Sequence, residues 1–125
     1  MSLFGDSQAL PQEHKRADGA TIRNDYTKTI KDKGGDRYAQ RLATEALTRE
    51  TMGHGTKELY EKTGAKPGRR ASLPNEAQKA LMAAETVANH DLKATEVKGS
   101  QSQRNQQIES AAEKSGKKVR KLFPW

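Results

Sequence analysis

Apolar residues recur along this chain at spacings of three and four, the period of a helix that packs on one side. No stretch alternates apolar and polar residues long enough to predict a strand. The pattern therefore predicts an all-α protein, a small bundle of four or five short helices. Residues 1–19 carry few apolar groups and include Gly5, Pro11 and Gly19, so we expect a flexible N-terminal arm ahead of a single helical domain over residues 20–125.

Glycines and cap residues predict where the first three helices begin and end. The first helix covers residues 21–33 and ends at the glycine pair 34–35. Asp36 caps the second helix, which reaches about residue 51. The third helix runs from residue 56 to about residue 63 and stops at Gly64.

Two longer helices are predicted after a Gly/Pro loop over residues 65–72. Pro74 suits the first position of a helix that reaches about residue 89, and its alanine-rich stripe makes it the expected central helix. Ser100 and Gln103 form a capping box for the last helix. Its apolar positions continue beyond Gly116, but glycine within a helix costs about 1 kcal/mol, so the helix either passes through this residue or breaks there.

Composition places the chain at the polar end of globular proteins. Of its 125 residues, 32% are hydrophobic, 5% are aromatic and 31% are charged, so we expect a thin core. The formal net charge of +7 favours an anionic partner, such as nucleic acid or a membrane surface. A protein that is merely soluble and basic is the plainer alternative.

Several classes of protein are disfavoured. The chain has no Cys, which excludes disulfides and thiolate metal sites. No run approaches the roughly 20 apolar residues of a membrane span, and residues 1–6 lack the features of a signal peptide. We therefore expect a cytoplasmic protein without a membrane partner.

Side chains that could support catalysis are dispersed along the sequence. His14, His54 and His90 stand alone, each without a second histidine at i+3 or i+4, so no metal site is predicted. Carboxylates such as Glu45 and Glu85 are spread over helical faces that also carry cations, and we expect them to be solvated. We predict a protein that is not an enzyme, has no catalytic residues and uses no cofactor.

Lys66, Arg69 and Arg70 form a first group of candidate binding residues, in the loop before the fourth helix. Backbone N–H groups and the helix dipole at a helix N-terminus favour a phosphate there. A solvated loop is the alternative, because exposed arginines bind phosphate readily but not obligatorily. Residues 69–73 also match the substrate pattern of basophilic kinases, although Ser72 is more simply a loop residue that accepts from free backbone N–H groups.

A second group stands near the C-terminus, where Lys117, Lys118, Arg120 and Lys121 place four cations in five residues. We expect these side chains to contact phosphates, and such contacts position a protein without reading bases.

An apolar tail follows these cations and holds the only Trp of the chain. Leu122, Phe123 and Trp125 either fold back on the bundle or insert into the groove of a partner, where aromatic anchors dominate binding energy.

Several short motifs follow one another in a recognisable order: Glu58-Leu59-Tyr60 near a glycine, a basic loop, Leu73 before a helix with Ala83-Ala84-Glu85, and Gly116-Lys117-Lys118-Val119-Arg120. This order, over roughly residues 55–121, resembles the C-terminal region of DNA-damage-inducible protein D and related regions of phage antirepressor-type proteins. That family carries a longer N-terminal domain than this sequence has. The resemblance implies a role near DNA damage response or a mobile element, acting on a recombinase filament or a repressor, and carries over no catalytic residue.

Together these observations predict a small basic protein that binds nucleic acid, DNA rather than RNA, or modulates a nucleoprotein complex by binding a DNA-bound protein. The alternative is a protein-interaction adaptor or assembly component that docks through its C-terminal tail, residues 122–125.

Overall fold

The computed structural model describes residues 11–122, with side chains from residue 19 onward. Its elements in chain order are α1 (Pro11–Asp32), α2 (Arg37–Met52), α3 (Thr56–Thr63), a 3-10 turn (Arg70–Ser72), α4 (Asn75–Ala94) and α5 (Gln101–Leu122). No strand occurs between residues 11 and 122. The prediction of an all-α bundle of four or five helices is confirmed.

The first helix begins earlier than the apolar pattern predicts. α1 starts at Pro11, a residue favoured at the first position of a helix. Residues 11–19 of the predicted arm are therefore helical, and the boundary drawn at residue 19 lies within α1. The pattern missed this start because few apolar residues precede Ile22. Residues 1–10 of the predicted arm lie outside the described residues.

Local capping signals in the sequence form the expected hydrogen bonds. The Asp36 side chain accepts from the backbone N–H of Ala39 at 2.9 Å and so caps α2. At α5 the backbone N–H of Ser100 donates to Gln103 Oε1 at 2.9 Å, and the Gln103 N–H donates to Ser100 Oγ at 3.3 Å. These reciprocal bonds are the predicted capping box.

The third and fourth helices differ in how well their limits were predicted. α3 covers the predicted residues 56–63 and ends at Gly64, whose φ of 72° is left-handed. Pro74 lies one position outside α4, as its N-cap, and α4 continues past the predicted end near residue 89 to Ala94.

Hydrogen bonds between helices fix their directions. Thr29 donates to Asn89, and Lys33 donates to the Lys93 carbonyl, both at a separation of 60 residues, so α1 and α4 run parallel. Asn105 donates to Asp36 and Arg120 to the Thr51 carbonyl, both at a separation of 69 residues, so α2 and α5 are also parallel. The end of α5 therefore lies at the same end of the bundle as the end of α2.

The centre of the bundle is α2. It packs on all four other helices, and its contact with α5 is the most extensive in the protein. The central position predicted for α4 is therefore wrong, because its extensive contacts are with three helices, α1, α2 and α5, and it meets α3 only through the smaller apolar cluster. The main apolar cluster joins α1, α2, α4 and α5, while a smaller cluster joins the last residue of α2, α3, the loop after it and the first half of α4.

Gly116 explains why α2 and α5 lie so close together. α5 continues through this residue without a break, which decides between the two predicted alternatives. A Cβ at Gly116 would lie 2.7 Å from Glu50 Cβ and 3.1 Å from the Leu47 carbonyl oxygen. Only a residue without a side chain fits this contact without displacing α2.

Candidate nucleic-acid interface

One face of α5 carries a row of lysines. Lys114, Lys117, Lys118 and Lys121 occupy positions i, i+3, i+4 and i+7, which share one face of a helix, and all four are exposed. The opposite face of α5 is buried in the main apolar cluster. We call these four residues the α5 lysine strip. The strip spans about 10 Å along the helix axis, comparable to roughly three phosphates of one DNA strand.

Asp91 of α4 orients one lysine of the strip. Lys118 Nζ lies 2.9 Å from Asp91 Oδ2, which also accepts from Ser115 Oγ at 2.8 Å. Partial burial raises the pKa of Asp91, but the hydrogen bonds from Lys118 and Ser115 outweigh this effect and hold the pKa below its ordinary value. The side chain of Lys118 is still 62% exposed, so a phosphate can reach it.

Little other negative charge lies near the strip on its own helix. Glu113 is the only carboxylate among residues 110–122. Its Oε1 lies 3.7 Å from Nη2 of Arg49 on α2, so this charge is directed at the neighbouring helix. Positive charge therefore dominates the exposed face of the last turns of α5.

Arg120 belongs to the same predicted group but lies on another side of α5. Its side chain is half-buried, and Nη1 donates to the Thr51 carbonyl at 3.5 Å. The guanidinium covers Gly53, where α2 ends. A cation at the C-terminal end of a helix is favourable because the last carbonyls carry partial negative charge. Arg120 therefore ties α5 to α2 and is separated from the strip.

Arg70 in the loop points into the protein. Its Nη1 and Nη2 lie 2.9 Å and 2.8 Å from the two carboxylate oxygens of Glu85, whose side chain is only 7% exposed. Burial raises the pKa of Glu85, and the hydrogen bond and charge of Arg70 oppose this rise. The prediction that Glu85 is solvated is wrong. Both carboxylate oxygens engage the Arg70 guanidinium, which leaves it less available to phosphate than the other two loop cations.

Lys66 and Arg69 remain exposed on the outside of the same loop. Ser72 Oγ accepts from the Lys66 backbone N–H at 2.9 Å and donates to the Arg69 carbonyl. The predicted role of Ser72 as an acceptor for a free backbone N–H is therefore present, but within the loop and not at the start of α4. The hydroxyl closes the loop and presents these two cations to solvent.

The loop cations and the α5 lysine strip attach to different sides of α4. Glu85 holds the loop through Arg70, and Asp91 holds the strip through Lys118. These two carboxylates are six residues apart, which places them about 120° apart around the axis of α4. The seven predicted cations therefore divide into separate surfaces.

The predicted partner-binding tail is described only at its first residue. Leu122 ends α5 and is 73% exposed, while Phe123 and Trp125 lie outside the described residues.

Two structural findings concern functions other than nucleic-acid binding. Among the described residues, no group of three or more His, Asp or Glu side chains could hold a metal ion. Within the same part of the chain, no helix has both the length and the apolar character that a bilayer crossing requires.

Sequence reasoning missed Lys114, the first lysine of the strip. Its position three residues before Lys117 was the available signal, since residues three apart share a helix face.

Comparisons with known proteins add nothing to the assignment of this site, because no protein-family model, curated protein or solved structure matches the chain. The resemblance to DNA-damage-inducible protein D over residues 55–121 stays a prediction.

Proposed function

We propose that this protein is a non-enzymatic nucleic-acid-binding protein whose α5 lysine strip contacts the phosphates of duplex DNA. The observation that carries the proposal is the placement of four exposed lysines on one helix face whose nearest carboxylate on the same helix, Glu113, is directed at Arg49. Such a surface neutralises phosphates and displaces their counterions, which gives affinity without base recognition. Lys66 and Arg69 supply a second, smaller contact.

The sequence resemblance indicates the cellular process in which this DNA binding would take place. A role in DNA damage response or in a mobile element, through a recombinase filament or a repressor on DNA, fits a protein that holds DNA without reading it. We assign it no cofactor and no catalytic step.

A salt titration tests the proposal. Affinity for a labelled DNA duplex is measured by fluorescence anisotropy at several salt concentrations for the parent and for K114Q/K117Q/K121Q. Loss of three phosphate contacts should flatten the plot of log affinity against log salt by about 2.7, at roughly 0.9 per phosphate. The matched control removes three exposed lysines that lie elsewhere: Lys31, Lys57 and Lys79.

Two results would contradict the proposal. One is a protein that binds neither DNA nor RNA at low salt. The other is a slope that changes equally in the strip variant and in the control, since net charge alone would then explain binding. Tighter binding to RNA than to DNA of equal length would overturn the choice of DNA.

A second candidate function is a protein-interaction adaptor that docks through residues 122–125. The exposure of Leu122 at the end of α5 favours it, because an exposed large apolar side chain is available to a partner. Truncation after Lys121 should then leave the melting curve unchanged and abolish co-purification of a partner. Emission of Trp125 at the wavelength of a solvent-exposed indole supports this function, and blue-shifted emission with a lowered melting temperature on truncation contradicts it.

A further inference from the structure

All three tyrosines of the chain line two adjoining depressions on the side of α2 that faces away from α5. An inner pocket of about 230 Å³ contains Tyr26 and Tyr60, and an outer basin of about 550 Å³ contains Tyr38. The two depressions share three threonines and so form one continuous groove: Thr27, Thr44 and Thr56. We call it the tyrosine groove.

The inner pocket presents two phenol hydroxyls that the protein itself does not satisfy. Tyr26 is 3% exposed and Tyr60 is 9% exposed, yet neither hydroxyl has a hydrogen-bond partner among the described residues. Neither hydroxyl is sealed inside the protein, since Thr51 Oγ1 is the only fully buried side-chain oxygen or nitrogen without a partner among the described residues. Since both side chains line the pocket, a polar group that enters it meets two available hydroxyls.

The electrostatics of the inner pocket favour a polar or anionic ligand. Arg23 and Arg70 line it together with one carboxylate, Glu85, which Arg70 already engages. Burial, followed by the nearby charge of Glu85, raises the pKa of Tyr26, so its hydroxyl remains a neutral donor. The pocket volume of about 230 Å³ equals roughly seven or eight water molecules and is below the range of drug-sized sites. A single planar ring with polar edges is of suitable size.

The outer basin is an aromatic platform between cations. Tyr38 is 59% exposed, and Arg37 and Arg41 of the same helix line the basin beside it. The one carboxylate of the basin, Glu45, accepts from the Thr56 backbone N–H at 3.0 Å. An exposed aromatic ring flanked by arginines is the arrangement on which proteins stack the bases of single-stranded nucleic acid while they hold its backbone.

We propose that the tyrosine groove binds two adjacent nucleotides of single-stranded nucleic acid. One base stacks on Tyr38, its phosphate contacts Arg37 and Arg41, and the neighbouring base enters the inner pocket and bonds the hydroxyls of Tyr26 and Tyr60. The inference rests on the proposed function for its ligand class, but it adds recognition of bases on a surface distinct from the α5 lysine strip. A free nucleotide offers the same base and phosphate groups as a strand, and the experiment below distinguishes these two ligands.

Two ligands test the groove: a labelled oligodeoxythymidine, followed by anisotropy, and adenosine monophosphate, followed by calorimetry. Tyr38→Ala should weaken binding about five- to 150-fold, the value of one base–aromatic stack, whereas Tyr38→Phe should keep the parent affinity. Tyr26→Phe removes one hydroxyl without changing the ring and should weaken binding about two- to tenfold. Arg41→Gln should weaken binding more than the matched control Lys79→Gln, which removes an exposed cation outside the groove and outside the α5 lysine strip.

The outcomes distinguish a strand from a free nucleotide as the ligand, and they test the tyrosine groove independently of the α5 lysine strip. Binding of the oligonucleotide alone, with these effects, supports a strand as the ligand, and binding of both supports a site that also accepts the free nucleotide. Equal affinities of Tyr38→Ala and Tyr38→Phe, or no binding of either ligand, would overturn the inference. If the protein binds these ligands but does not bind duplex DNA, the function proposed for the α5 lysine strip is contradicted and the proposal for the tyrosine groove still holds.

Discussion

The loop after α3 and the last turns of α5 have similar basic sequences, but their cations have different surroundings. In the loop, Arg70 points into the protein and forms an ion pair with Glu85, a carboxylate 15 residues further along the chain. In α5, the helical spacing places every lysine of the strip on the exposed face, and within the described part of the chain only Lys118 has a carboxylate partner there. A cluster of cations therefore indicates a binding surface only when no buried carboxylate lies within its reach.

The largest difference between the two regions should appear in stability. Arg70→Ala leaves Glu85 buried without its partner and should lower the free energy of unfolding by about 3–5 kcal/mol, as measured by urea denaturation. The matched control Arg69→Ala changes an exposed neighbour and should stay within about 0.5 kcal/mol of the parent. Similar losses in both variants would mean that the buried ion pair does not distinguish the loop from the strip.

The pH dependence of the Arg70→Ala effect checks its cause. The pKa of folded Glu85 is raised above that of the unfolded chain, so stability associated with the neutral acid is present at low pH and lost as the pH rises through the folded pKa. Removal of Arg70 raises this pKa further because the opposing hydrogen bond and charge disappear. The difference in stability between Arg70→Ala and the parent should therefore shrink in acid. A difference that is the same at acidic and neutral pH contradicts this explanation.

A smaller effect concerns the contact that holds the strip in place. Gly116→Ala forces α5 away from Glu50 and Leu47 of α2 and should destabilise the protein by about 1–3 kcal/mol despite the better helix propensity of alanine. Gly19→Ala is the matched control, because the atoms nearest to a Cβ there belong to the flexible Met82 side chain, at an ordinary 3.6 Å or more. This change should stabilise by up to about 1 kcal/mol. The same sign of change at both glycines, in thermal melts, would contradict the close-contact interpretation of Gly116.

The smallest effect should come from the ion pair at the edge of the strip. Asp91→Asn removes the carboxylate that holds the largely exposed Lys118, and such exposed pairs contribute about 0–1 kcal/mol to stability. Because a negative charge beside the strip disappears, affinity for duplex DNA should rise. Comparison of this variant with Arg70→Ala by urea denaturation contrasts an exposed pair with a buried one. Equal destabilisation by the two variants, or weaker DNA binding by Asp91→Asn, would contradict the difference between the exposed ion pair at the strip and the buried one at the loop.

What the sequence predicts well in this protein depends on residues a few positions apart. The Asp36 cap, the Ser100–Gln103 box and the limits of α3 all arise from contacts within one helical turn. The Arg70–Glu85 pair joins two elements, so no local pattern indicated that one loop cation is not exposed. The central position of α2 also depends on contacts with every other helix and could not be predicted from its own apolar stripe.

The candidate sites show the same limit. The lysines of α5 were predictable because helical spacing alone puts them on one face, and only Lys114 was overlooked. The tyrosine groove was not predictable, since Tyr26, Tyr38 and Tyr60 lie on three different helices and meet only through the packing of α1, α2 and α3.

The division of the core into two apolar clusters also governs how the bundle opens. The smaller cluster holds α3 and the following loop, whereas the main cluster holds the extensive contact between α2 and α5. Separation of α3 exposes less apolar surface than separation of α2 from α5, so local opening should begin at α3. Backbone amides of α3 should then exchange with deuterium before those of α2 and α5. Because Thr56, Leu59 and Tyr60 of α3 line the tyrosine groove, a ligand that occupies it should slow this exchange.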